Sequence, residues 1–237
     1  YDAFDKSKNK KYYALFMEQG TGKSKVIIDN IAYLYRRGNI DTAIIAAPKG
    51  VYRNWHASEF KAHMPEDVVI FTDMCIWNPT ETKTNIDRLI EFLKPSHKLK
   101  FFIINIKTLS TEKSKNYLKR LLNVSKSFFC IDESTNIKNR TARRTKACMK
   151  LGKLATYRRI LTGTPVTRGP LDLWSQMHFL DEFILQSSFY AYRNTFCVIQ
   201  RRRTSSHSFD EVVGYQRLDE LQKILDEHSF RVTKEEC

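Results

Sequence analysis

Six short apolar runs, rich in β-branched and aromatic residues and separated by stretches with helical spacing, constrain this chain more than any other feature. They cover residues 12–17, 42–47, 68–72, 101–106, 128–131 and 159–161. Each has the length and composition of a buried strand. Between them Val26, Ile27, Ile31 and Leu34, and later Leu118, Leu121 and Leu122, recur at helical intervals. Strands that alternate with helices predict an α/β fold, a mostly parallel sheet with helices on both faces. Ligands of such sheets sit beyond the carboxyl ends of the strands, so the chemistry is expected there.

The rhythm weakens after about Gly169, where 171–179, 190–196 and 218–225 have helical spacing without clear strands between them. The polar stretch 201–208, Arg-Arg-Arg-Thr-Ser-Ser-His-Ser, reads as an exposed loop. We therefore expect a first unit over residues 1–170 and a mainly helical extension over 171–237. With 237 residues there is length for one sizeable core plus such an appendage.

Charge narrows the partners. Forty Lys and Arg against 26 Asp and Glu leave a formal charge of +14, which attracts polyanions such as nucleic acid or an acidic membrane face. No apolar run approaches the ~20 residues of a membrane helix. The opening Tyr1-Asp2-Ala3-Phe4-Asp5 has no basic-then-apolar leader pattern. These features predict a soluble, intracellular protein without a membrane partner. Cys75, Cys130, Cys148, Cys197 and Cys237 are odd in number and form no C-x-x-C pair, so reduced thiols are expected. The six histidines are scattered without metal-ligand spacing.

Three segments carry chemistry. The first run leads into Glu18-Gln19-Gly20-Thr21-Gly22-Lys23-Ser24 and then a helix, a G-x-G-K-S loop in strand–loop–helix context. Its glycines let backbone N–H groups curl around phosphates, and the helix N-terminus adds its dipole. Lys23 is placed to reach the outer phosphates and Ser24 to ligate magnesium. Gly20, Thr21, Gly22, Lys23, Ser24 and Lys25 form the candidate nucleotide-binding set. Met17 stands where the strict phosphate-loop pattern has its first glycine, and a plain glycine turn would look similar. The second segment is Phe128-Phe129-Cys130-Ile131-Asp132-Glu133, a strand ending in two carboxylates. Asp132 can hold magnesium there and Glu133 can act as general base on a water. The third is Leu161-Thr162-Gly163-Thr164-Pro165, where Thr162 and Thr164 either sense the hydrolysis site or only cap a turn. Their order along one chain points to a nucleoside triphosphatase.

The ordered set resembles the first RecA-like lobe of superfamily-two helicases, specifically the Swi/Snf-type DNA translocases. Besides the phosphate loop, Ala46-Ala47-Pro48-Lys49-Gly50-Val51-Tyr52-Arg53-Asn54-Trp55 is similar to their motif Ia, and Ile104-Asn105-Ile106-Lys107-Thr108-Leu109 to motif Ib. Asp132 to Asn139, with its Ile-Lys-Asn, resembles motif II, and Leu161 to Val166 motif III. Leu173-Trp174-Ser175 matches the element that comes next in the family, and Phe230 to Glu236 resembles the Arg-x-x-Lys segment that leads into a second lobe. The resemblance implies a three-layer RecA-like fold, ATP and magnesium as cofactors, and ATP hydrolysis coupled to movement along double-stranded DNA without regard to sequence. It further implies that Lys49, Arg53, Lys107 and Thr108 lie on the strand-binding side, contacting phosphates.

Departures from the family pattern are informative. Thr135 replaces the His of the D-E-x-H form, and no adenine-reading glutamine motif precedes the phosphate loop. The family's arginine finger and motifs IV to VI belong to a second lobe beyond Glu236. The chain therefore reads as an amino-terminal lobe that hydrolyses ATP barely when alone. Between Lys126 and Arg168 eleven basic residues face two acidic ones. Within that stretch Arg143, Lys146, Lys150 and Lys153 form a helical stripe opposite Ala147, Cys148, Leu151 and Leu154. The stripe is either a nucleic-acid surface or a solvated face, and Trp55 is expected in the core. The alternative to a motor lobe is a nucleic-acid-binding module that no longer hydrolyses ATP; intact Lys23, Asp132 and Glu133 argue against it. Few insertions between motifs suit a cytoplasmic protein of bacterial or viral origin, with a nuclear setting if the source is eukaryotic.

Overall fold

The computed structural model describes residues 2–80, 82–204 and 207–236. In chain order its strands are β1 (Tyr12–Met17), β2 (Thr42–Ala47), β3 (Thr72–Ile76), β4 (Leu99–Asn105), β5 (Ser127–Asp132), β6 (Tyr157–Leu161), β7 (Cys197–Arg203), β8 (Ser208–Tyr215) and β9 (Ser229–Val232). Seven of them form one sheet in the order β3-β4-β2-β5-β6-β1-β9, paired parallel throughout. β7 and β8 make a separate antiparallel hairpin.

Alternation along each buried strand sends neighbours to opposite faces. Ile44, Ala46, Phe102, Ile104, Phe129 and Ile131 pack under α5 (Lys83–Leu93), α6 (Glu112–Asn123), α7 (Arg143–Gly152), α8 (Leu171–Leu180) and α9 (Phe189–Phe196), with Leu221 of α10 (Leu218–His228) at the margin. Ala43, Ile45, Phe101, Ile103, Phe128 and Cys130 pack under α1 (Asp2–Ser7), α2 (Lys23–Arg36), α3 (Phe60–His63) and α4 (Glu66–Val69). The result is the expected three-layer α/β/α fold with a mostly parallel sheet.

Two expectations are corrected. The run at 68–72 is not a strand: Pro65, extended at ψ 141°, starts the short helix α4, Ile70 and Phe71 are 69% and 53% exposed, and β3 begins only at Thr72. Proline at a helix start supplies its fixed φ without losing a needed donor, which outweighs the β-propensity of the valines and isoleucine after it. The extension after residue 170 holds the three expected helices, but also three strands. Arg201–Arg203 belong to β7 and Ser208 to β8 rather than to a loop; Ser205 and Ser206 lie outside the described residues. The hairpin is largely solvent-exposed, so its side chains carry no apolar alternation. The boundary expected near residue 170 crosses one continuous core, because Leu173, Met177, Phe179 and Leu180 share a cluster with Phe129 and Ile131.

Arg158 and Arg159, counted within the basic stretch, are 8% and 0% exposed. Arg159 donates to the carbonyls of Ser7, Lys10 and Lys11 and to Asn30 Oδ1, clamping α1 to the sheet, and burial pulls its pKa down to about 10. Cys75, Cys130, Cys148 and Cys197 are buried free thiols; Cys237 lies outside the described residues. Among the described residues no helix is long and apolar enough to cross a membrane.

Candidate nucleotide-binding site

The phosphate loop joins β1 to α2 at the carboxyl end of the sheet. Gly20 and Gly22 have φ of 90° and 86°, a region where a Cβ brings strain. Nothing lies within 4 Å of a Cβ built on Gly22, so backbone conformation alone calls for glycine there. No side chain caps the N-terminus of α2, and its first N–H groups are open to an anion. Thr21 Oγ1 donates to the Glu18 carbonyl at 2.8 Å and closes the turn. Lys23 folds back, its Nζ donating to the carbonyls of Met17 and Glu18 at 2.7 Å each. Burial lowers its pKa, while Asp132, Glu133 and Glu18 pull the other way. Lys25 reaches the rim of the cleft and pairs with Asp29 along α2.

Opposite stands the carboxylate wall at the end of β5. Asp132 Oδ2 accepts from the Trp55 indole Nε1 at 2.9 Å. Burial pushes its carboxyl above the usual range, the Trp55 bond opposes this, adjacent Glu133 adds to it, and Lys23 opposes it in turn. Glu133 is left-handed at φ 57°, a conformation costly for a side chain with a Cβ. Its Oε1 accepts from Thr162 Oγ1 at 2.6 Å and from Thr135 Oγ1 at 2.9 Å. Thr162 Oγ1 in turn accepts from the Thr164 N–H at 3.2 Å, which leaves its own proton for Glu133. The two walls touch at Gly163, where a Cβ would come within 3.3 Å of Glu18 Cα.

Gly20, Gly22, Lys23, Ser24, Lys25, Asp132, Glu133 and Thr164 thus line one cleft of about 770 Å³. Its donor set suits a phosphate with a hard cation: open N–H groups, the Lys23 ammonium, the Ser24 hydroxyl and the Asp132 carboxylate. Sequence reasoning missed several cleft residues. Glu59 and His63 come from the helical turns after Trp55, and Lys234 from the segment after β9. The last is held by Glu18, whose N–H donates to the Val232 carbonyl and whose Oε2 accepts from the Lys234 N–H, both at 3.1 Å. Spacing carries no sign of that clasp, since it depends on β9 pairing beside β1. Trp55 is fully buried as expected, but its bond to Asp132 was not readable from its motif.

Residues 6–237 match the family model of the SNF2-related domain. The chain belongs to the SNF2-related family. Among curated relatives, human SWI/SNF-related matrix-associated actin-dependent regulator of chromatin subfamily A containing DEAD/H box 1 is 26% identical over 219 residues, covering 92% of this chain and 20% of its own length. A probable chromatin-remodeling complex ATPase chain of Oryza sativa subsp. japonica is 30% identical over 172 residues, 72% of this chain and 14% of its own. The SWI2/SNF2 ATPase core of Sulfolobus solfataricus in complex with dsDNA shares the fold at a TM-score of 0.70 and 21% identity, covering 98% of this chain and 42% of that one. This SNF2-related domain therefore spans a fifth or less of these curated relatives.

The strand-side candidates of the SNF2 lobe gather along the same carboxyl edge. β2 and β4 are neighbours with Ala47 opposite Asn105, so Lys49 and Arg53 after one strand and Lys107 and Thr108 after the other leave the sheet side by side. Lys49, Arg53 and Lys107 are exposed, whereas Thr108 turns its hydroxyl to the Asn105 carbonyl at 2.7 Å and caps its own turn. That turn, 106–110, packs against α7, which presents Arg143, Lys146 and Lys150 to solvent and buries Ala147, Cys148 and Leu151. Lys153 pairs with Glu182 at 2.5 Å, and Leu154, expected in the core, is 38% exposed beyond the end of the helix. The basic surface is thus smaller than the count along the chain implied.

Proposed function

We propose that this SNF2-related domain is the first motor lobe of an ATP-driven translocase on double-stranded DNA. One arrangement supports the reading most: a phosphate loop and a carboxylate pair distant in sequence face each other across a single cleft. The first turn of α2 and Lys23 bind the phosphates of ATP, with Lys23 released from the Met17 and Glu18 carbonyls. Ser24 and Asp132 hold magnesium, which supplies charge neutralisation on the transferring phosphoryl group. Glu133, steadied by two threonine hydroxyls, orients a water and accepts its proton. Thr162 and Thr164 connect that base to the loop after β6 and so to the strand side. The arginine finger comes from a second lobe of the same full-length chain, entered after Phe230 to Glu236. The human and rice relatives are eukaryotic and the rice protein is named for chromatin remodelling, which supports a nuclear setting if this chain is eukaryotic.

DNA is bound through phosphates by Lys49, Arg53, Lys107, Arg143 and Lys146. Affinity should be indifferent to sequence and fall with salt, with a slope of about 0.9 per phosphate neutralised. Changing Arg143, Lys146 and Lys150 together to Glu should abolish duplex binding measured by fluorescence anisotropy; unchanged binding rejects this DNA path. Turnover by residues 1–237 should stay near background with or without DNA, and extension through the second lobe should bring DNA-stimulated hydrolysis that Glu133→Gln removes while sparing ATP binding.

A further inference from the structure

The largest side chain buried completely in the lobe is Trp55. Its indole N–H is directed not at a backbone carbonyl but at Asp132 Oδ2, 2.9 Å away, on a strand far along the sequence. The other two tryptophans differ. Trp174 Nε1 donates to the Gln186 carbonyl at 3.1 Å, and Trp77 Nε1 is buried without a partner among the described residues. Of the three, Trp55 is the one whose indole N–H meets a carboxylate lining the cleft.

A carboxylate at a strand end turns freely about its last torsion. Holding Oδ2 removes that freedom and fixes the plane of the carboxylate at the cleft. Trp55 also opens a π-helical turn, Trp55–Glu59, a rare element often found at functional sites. From that turn Glu59, and from the following turn His63, line the same cleft, so indole and cleft wall belong to one segment.

We infer that Trp55 is a positioning residue: its indole N–H orients Asp132 for magnesium. This role rests on the proposed magnesium site at Ser24 and Asp132. Outer partners of metal ligands typically change metal affinity 10-fold or more, so the Trp55 bond should appear in magnesium dependence rather than in nucleotide affinity itself.

The test is Trp55→Phe in the full chain, which keeps an aromatic ring in the core and removes the donor. Nucleotide binding is followed by calorimetry across a magnesium titration and again with the metal chelated. The magnesium needed for half of its effect should rise roughly 10-fold, with metal-free affinity unchanged. An unchanged magnesium dependence overturns the positioning role, as does an equal loss with and without metal, which marks packing damage. An unaltered chain whose nucleotide binding ignores magnesium overturns the metal site itself. Should the variant fold poorly, the indole ¹⁵N–H resonance of Trp55 in the unaltered chain reports on the same bond. It should shift when magnesium is added to the nucleotide-bound chain, while those of Trp77 and Trp174 stay in place; a stationary Trp55 signal overturns the inference.

Discussion

The two walls of the cleft are built on opposite principles. The phosphate loop is made of backbone: glycines with positive φ, an uncapped helix N-terminus and a single lysine that folds onto the loop's own carbonyls. The carboxylate wall is made of side chains wired to other elements, Asp132 to Trp55 and Glu133 to Thr135 and Thr162. The first is shaped by local sequence. The second is preorganised by partners that reach it from β6 and from the turns after β2.

Removing Lys23 gives the largest expected effect. Lys23→Ala deletes the ammonium that folds onto the loop, and charge-assisted bonds contribute about 1.5–3 kcal/mol each. ATP affinity by calorimetry should fall on the order of 100-fold with the thermal midpoint little changed. Equal affinity would show that Lys23 does not bind the phosphates.

Thr162→Val is aimed at the opposite wall. It removes the 2.6 Å bond to Glu133 and leaves the Thr164 N–H without its acceptor. We expect a loss of about 1.5–2.5 kcal/mol in denaturant unfolding, unchanged nucleotide affinity, and lower turnover once the second lobe is present. A loss of affinity would mean that the walls are not separable.

Gly22→Ala asks whether the loop is purely conformational. No atom obstructs the added methyl, so the cost should be the left-handed backbone alone, about 1–2 kcal/mol of stability. A larger cost in urea unfolding would reveal packing that the loop is not expected to have.

Asp132→Asn is the smallest effect and has the opposite sign. The raised carboxyl holds its proton to higher pH in the folded chain than in the unfolded one. Folded protein therefore binds more protons in that window, and stability falls as pH rises from the ordinary Asp value through the folded one. Asparagine keeps an acceptor for Trp55 and does not titrate. Its advantage should be smallest at acid pH and grow as pH rises through the folded carboxyl's range, read as a higher thermal midpoint at neutral pH. A variant no more stable at pH 8 than at pH 4 would show that the wall stores no such strain.

Local patterns were enough for much of this. Strand and helix alternation through β6 follows from short-range periodicity, the glycines at 20 and 22 from backbone conformation, and Asp132 with Glu133 from two acids at the end of an apolar run. Where those patterns are absent the reading failed: β9 has only four residues, the exposed hairpin has no alternation, and Pro65 turned an apolar run into a helix start. Sequence could name the carboxylates but not their partners. Thr135 is a local partner two residues past Glu133, but Trp55 and Thr162 meet the carboxylates only because β5 lies between β2 and β6 in the sheet, and Lys234 reaches the phosphate loop only because β9 pairs with β1. Periodicity and φ preference are properties of a few consecutive residues, whereas the choice of hydrogen-bond partner, and the burial that hides Arg158 and Arg159, belong to the order in which distant strands assemble.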